Sequence, residues 1–134
     1  MIQKEPRIGV GAAIIKDDKI LLIRRKNAPE ADHWALPGGK VDLFETCETA
    51  VTRETKEEID VEIQNPFLLT LMDMWDEEKT HHWIAPIYLV TEFIGEPSIQ
   101  EPHKHSGLGW FSIHDLPNPS AKAVKDAVFA LKIK

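Results

Sequence analysis

Residues 38–61, GGKVDLFETCETAVTRETKEEIDV, crowd Glu54, Glu57 and Glu58 into a short span directly behind Arg53. At roughly 100° per residue these positions fall within about a third of a helix circumference, so three carboxylates share one face. On the same wheel Cys47, Ala50 and Val51 lie along that stripe in the preceding turns, which turns the acidic face toward the protein body rather than toward water. Carboxylates held this close and stripped of hydration repel one another and need cations. Hard oxygen ligands at this density suit Mg²⁺ or Mn²⁺. An acidic helix face with Arg53 and Lys56 as i,i+4 partners also describes an ordinary solvated helix, so the surrounding spacing has to decide.

That spacing is Gly39, five residues, Glu45, seven residues, Arg53-Glu54, then Glu57-Glu58 and Val61. It resembles the Nudix box, G-x5-E-x7-R-E-U-x-E-E-x-G-U with U aliphatic, and every charged position matches. Two positions depart: Thr55 stands where an aliphatic residue is expected and Asp60 where a glycine is expected. Thr keeps a methyl for packing, and Asp tolerates the left-handed conformation at a helix end. The segment before the box, His33-Trp34-Ala35-Leu36-Pro37-Gly38-Gly39, is similar to the family's W-x-L-P-G-G lead-in.

The resemblance implies an α/β (α+β) fold, a Nudix-type α/β/α sandwich on a mixed β-sheet. It also implies hydrolysis of a phosphoanhydride in a nucleoside diphosphate derivative, with Glu54, Glu57 and Glu58 as metal ligands and one of them doubling as general base. Gly38 would offer its carbonyl to a metal, Arg53 would orient a glutamate through its fork of donors, and Glu45 would support the helix start. One helix presents carboxylates to only one side of a metal cluster, so a further acidic group should approach from a facing loop. Of Glu92, Glu96 and Glu101, the first belongs to a strand and the second to a Gly-Glu-Pro turn, which leaves Glu101 as the choice.

Within the family, the region Met74-Trp75-Asp76-Glu77-Glu78-Lys79 carries neither the proline of ADP-ribose-type members nor the tyrosine of dinucleoside-polyphosphate types. A short chain without those marks is similar to the MutT-like nucleoside triphosphate pyrophosphohydrolases. An ADP-ribose or nucleotide-sugar pyrophosphatase, and a non-hydrolysing Nudix-fold sensor, stay open as alternatives.

The chain has 134 residues, enough for a single domain spanning 1–134 with one core. One cysteine, Cys47, excludes an internal disulfide and favours a reducing setting. No signal-like or membrane-length apolar run is present, which leads to the expectation of a soluble, cytoplasmic protein acting as a monomer or homodimer. The net charge of −6 argues against nucleic acid or an anionic membrane as partner, but not against a small anionic nucleotide bound through metals.

Outward from the box, 7–16 and 19–25 read as apolar strands of a hairpin turning at Asp17-Asp18. The helix is expected from an N-cap at Thr46 to about Ile59. Residues 61–75 read as one or two strands broken at Asn65-Pro66, and 82–93 as a strand that Pro86 makes an edge or a bulge. Residues 95–109 read as a polar loop, 110–113 as a short strand, and the last helix as capped by Ser120 with a stripe of Ala121, Val124, Val128 and Leu131. Three tryptophans, Trp34, Trp75 and Trp83, are packing residues or surfaces for a base. Arg24, Arg25 and Lys26 are a solvated strand end or a phosphate contact. The pairs His81-His82 and His103-x-His105 have ligand-like proximity but too few members for a zinc site, and read as polar loop residues; His103 or His105 touching the metal shell is an intermediate reading.

Overall fold

The computed structural model describes residues 3–133. In chain order they form strands β1 (Arg7–Lys16), β2 (Lys19–Arg25), β3 (Trp34–Ala35) and β4 (Gly38–Lys40), then helix α1 (Cys47–Ile59). Strands β5 (Glu62–Gln64), β6 (Phe67–Trp75), β7 (His82–Val90), β8 (Glu92–Ile94) and β9 (His105–Ser112) follow, and helix α2 (Lys122–Lys132) closes the chain.

The apolar run of β1 is continuous because β1 is central and covered on both sides. It pairs antiparallel with β2 and β4 and parallel with β7, while β6 adds to β7 and β9 to β2, giving a mixed seven-stranded sheet. Val10, Ala12 and Ile14 face one layer together with Ala50, Val51 and Ile59 of α1. Ala13 faces the other, with Val124, Ala127 and Val128 of α2. This is the expected α/β/α arrangement, the period-two pleat sending alternate side chains to opposite helices.

Local signals read from sequence are met with their mechanisms visible. Asp17 and Asp18 both adopt positive φ, 53° and 59°, the conformation a two-residue hairpin demands. Thr46 caps α1 by accepting from the Thr49 N–H at 3.1 Å, and Asp60 ends the helix at φ 58° with its N–H on the Lys56 carbonyl.

Four expectations need correction. Of the two readings of Pro86, edge or bulge, the edge fails: β7 is interior, its parallel register with β1 setting Ile84 opposite Ile8 and Ile87 opposite Gly11 with Pro86 in the gap between, while the β6–β7 ladder carries a register shift nearby, between Leu68 and Thr70. The strand also stops at Val90, and Glu92–Ile94 pairs separately with β5. β9 begins at His105 instead of Trp110, so the polar loop is shorter than its composition suggested. Ser120 does not cap α2; its hydroxyl donates to the Pro117 carbonyl, while the Lys122 N–H donates to the Glu30 carboxylate at 2.9 Å. Among the described residues, no helix is long and apolar enough to cross a membrane.

Candidate metal and active site

Helix α1 buries a face made of Ala50, Val51, Thr55, Glu58 and Ile59. Thr55 is fully buried at the box's aliphatic position, and its hydroxyl is satisfied by donating to the Val51 carbonyl at 2.7 Å. The three carboxylates are graded by depth: the side chain of Glu58 is 10 % exposed, that of Glu54 17 % and that of Glu57 52 %.

Strand β4 pairs with β1 in the sheet, and its two glycines let it come close both to β1 and to this helix. A Cβ at Gly38 would collide with the Val10 carbonyl oxygen, and one at Gly39 with the Glu54 carboxylate. With neither present, the Gly38 N–H donates to Glu58 Oε1 at 2.7 Å.

Arg53 holds the outer carboxylates. Its Nε and Nη2 donate to the two oxygens of Glu45 at 2.7 and 2.8 Å, a bidentate fork. Nη1 donates to Glu54 Oε1 at 2.9 Å and reaches Glu57 Oε2 at 3.2 Å, and Nη2 also donates to the Lys40 carbonyl at 3.1 Å. The hydrogen bonds from Arg53, aided by the Asp42 N–H, lower the Glu45 carboxyl to about 2. The same bonds, Glu45's first, push the guanidinium pKa up. Burial pushes the Glu54 carboxyl up, against the pull of Arg53, so this group is the one whose proton affinity the site raises.

Glu58 belongs to a second group. The carbonyls that α1 leaves unpaired at its C-terminus are taken by the loop before β9: Ser98 N–H donates to the Ile59 carbonyl at 2.9 Å and Gln100 N–H to that of Glu58 at 3.0 Å. This splice lays Glu101 beside Glu58. A turn then returns the chain, with the Lys104 and His105 N–H groups donating to the Glu101 carbonyl at 2.9 and 3.1 Å. Ligand atoms of Glu58, Glu101 and His105 all lie within 4.8 Å of one another, and among the described residues this is the group of three or more such side chains close enough to share an ion.

Glu101 is thus the loop glutamate that meets the helix; Glu92 lies in β8 near Asn65, and Glu96 is exposed. Glu54 and Glu57 turn toward Arg53 and are not drawn into the Glu58 group. His105 comes in from the pair His103-x-His105, whereas His103 stays exposed, and the sequence offered only that proximity as a signal. His81 is held by Asp76 at 3.1 Å and His82 stacks edge-on against Trp75, so that pair forms no centre.

A cavity of about 200 Å³ opens beside Gly38, Gly39 and Lys40, with Trp83, Met72 and Arg25 among its walls. Trp83 is therefore the one of the three candidate tryptophans that faces it. Trp34 packs on Phe111 at 4.7 Å, and Trp75 lies elsewhere on the surface. Arg25 is a cavity residue rather than a free strand end, its Nε held by the Pro29 carbonyl at 2.8 Å.

Residues 5–131 match the family model described as NUDIX domain. The chain belongs to the Nudix family. It is 36 % identical over 124 residues, covering 90 % of this chain and 72 % of the relative, to a protein of Methanocaldococcus jannaschii named ADP-ribose pyrophosphatase. It is 33 % identical over 117 residues, 85 % of this chain and 89 % of the relative, to the Escherichia coli protein named 8-oxo-dGTP diphosphatase. The crystal structure of a MutT NUDIX hydrolase from Burkholderia pseudomallei superposes with a TM-score of 0.93 at 48 % identity, over 96 % of this chain and 99 % of that one. The protein is a MutT-like Nudix hydrolase, and the relatives named above carry the names of enzymes acting on nucleotide derivatives.

Proposed function

We propose that residues 1–134 are a single Nudix domain that hydrolyses a phosphoanhydride bond, its substrate a nucleoside triphosphate and its products the monophosphate and pyrophosphate. Mg²⁺, or Mn²⁺ in its place, is the cofactor. The observation that carries this reading is the Gly38-Gly39 pair beside an apolar cavity, with Glu58 held on the Gly38 N–H, Glu54 packed against Gly39, and Glu101 meeting Glu58 from the facing loop.

The donor set fits a hard divalent cation: carboxylates of Glu54, Glu57, Glu58 and Glu101, and the Gly38 carbonyl, would hold it. Bound there, such ions neutralise phosphate oxygens and lower the pKa of a water. The chain's own residues do the rest. Arg53 keeps Glu54 and Glu57 in one orientation and is itself anchored on Glu45. The Gly38 N–H fixes the rotamer of Glu58. Glu54, with its raised proton affinity, is suited to take the proton of an attacking water. Trp83 and Met72 supply an apolar wall for the base, and Arg25 and Lys40 place cations at its edge. The partner is a small nucleotide, with no nucleic acid or membrane, and the working form is a cytoplasmic monomer or homodimer.

The test is a panel of nucleoside triphosphates, oxidised nucleotides, ADP-ribose, nucleotide sugars and dinucleoside polyphosphates, with products identified by mass. Triphosphates, oxidised or not, are expected to give monophosphate and pyrophosphate. The Methanocaldococcus jannaschii relative favours a second reading, ADP-ribose pyrophosphatase, which the same panel would report as AMP and ribose phosphate. No turnover with either metal, and a ligand recovered unchanged, would mark a sensor.

A further inference from the structure

Four carboxylates and a backbone carbonyl make an all-oxygen centre, and His105 does not belong in one. Its side chain is 4 % exposed, and its Nδ1 finds no partner among the described residues. Its Nε2 stands 3.4 Å from Glu58 Oε2, longer than the 2.7–3.2 Å typical of an N–H···O bond. A buried imidazole left this way is costly, because Nδ1 loses water without a replacement and Nε2 keeps only a long contact to a carboxylate.

The backbone, however, is shaped to bring it there. In the β2–β9 ladder Arg24 lies opposite Gly107, but Arg25 lies opposite His105, so Ser106 is an extra residue and β9 is bulged at this point. A bulge changes which side chain faces inward, and here the residue turned in is His105. Its N–H is tied to the Glu101 carbonyl, which sets the imidazole and the Glu101 carboxylate on one turn, and the Gly38 N–H occupies the other oxygen of Glu58, leaving Oε2 toward the imidazole. Cis ligands of an octahedral ion at about 2.1 Å stand about 3 Å apart, against 3.4 Å between His105 Nε2 and Glu58 Oε2 and at most 4.8 Å within the group of three.

We infer that Glu58, Glu101 and His105 form a mixed nitrogen–oxygen site that takes a borderline divalent cation, Mn²⁺ ahead of Mg²⁺, with His105 Nε2 as a direct ligand. Imidazole adds affinity for first-row transition ions and little for Mg²⁺, which prefers oxygen and keeps its waters. The inference rests on the metal-dependent reading above for its use, but not for its test.

The experiment is Mn²⁺ titration of the full chain by electron paramagnetic resonance, with electron spin echo modulation on the bound ion. Bound Mn²⁺ is expected to show coupling to one directly ligated imidazole nitrogen. His105→Gln should remove that coupling and weaken Mn²⁺ binding by about 10-fold or more, while Mg²⁺ competition changes less. Glu101→Gln should weaken binding yet keep the nitrogen coupling, which separates ligand loss from misfolding if His105→Gln unfolds. No Mn²⁺ binding, bound Mn²⁺ without nitrogen coupling, or coupling that survives in a folded His105→Gln variant would overturn the inference, the last by pointing to another histidine. Turnover of the substrate panel with Mg²⁺ but no nitrogen coupling would defeat this site and leave the hydrolase reading standing; coupling without any turnover would do the reverse.

Discussion

The two helices cover opposite faces of one sheet but are built to different ends. Helix α2 buries Val124, Ala127, Val128 and Ala130, all apolar. Helix α1, in the same structural place, buries Thr55 and Glu58 beside Ala50, Val51 and Ile59. Burying a carboxylate and a hydroxyl costs free energy unless each is paired, and α1 pairs them with the Gly38 N–H and the Val51 carbonyl. The contrast indicates that α2 holds the fold together while α1 gives up part of its packing to present charge.

The sharpest way to break this comparison is to neutralise the acidic face of α1. Glu58→Gln and Glu57→Gln should each lower kcat by about 10²-fold or more, because loss of a metal-binding carboxylate removes several kcal/mol of transition-state stabilisation. The melting temperature without metal should hold or rise, since a like-charge neighbour of Glu54 is gone. Turnover near wild type in either variant at saturating Mg²⁺ would show that α1 is not the catalytic helix.

Arg53→Lys comes next. A point charge cannot replace the fork on Glu45 or reach Glu54 and Glu57 together, so kcat should drop by about 10-fold or more and stability should fall with it. The acid limb sharpens the point. Glu45 has its folded pKa depressed to about 2, below an unfolded value of about 4.3, so its contribution to stability is present above pH about 4.3 and is lost as pH falls toward 2. Denaturant midpoints measured from pH 5 to 2.5 should fall less steeply in Glu45→Gln than in wild type; parallel curves would mean that the ion pair contributes nothing.

On α2 the expectation is reversed. Val124→Ala should cost about 2 kcal/mol of stability by removing fully buried methyl groups, with kcat per folded molecule unchanged. An equal loss of activity would couple α2 to the chemistry and erase the distinction. The smallest effect is at its start: Glu30→Gln weakens the carboxylate on the Lys122 N–H and should cost about 0.5 kcal/mol, seen as a small shift in melting temperature.

Where sequence reasoning failed, the partner was distant. Ser120 looks like a helix cap by position, but the cap of α2 comes from Glu30, far back in the chain. Pro86 looks like an edge marker, yet β7 is interior, because a parallel ladder can leave one amide unpaired opposite a gap. The tryptophans were equivalent in sequence, and only the cavity wall separates Trp83 from Trp34 and Trp75.

The acidic helix, its caps at Thr46 and Asp60, the Asp17-Asp18 hairpin and the i,i+4 pairing of Arg53 with Glu57 were all determined by the sequence alone. Each is a local matter of 100° per residue, of an allowed φ, or of contacts within one helix and the turn before it. That Glu101, the loop carboxylate chosen from the sequence, comes to lie beside Glu58, and that a histidine comes with it, only the tertiary structure decided. Those contacts depend on the register of β9 against β2 and on one extra residue at Ser106, and a shift of a single residue there would turn His105 to the opposite face.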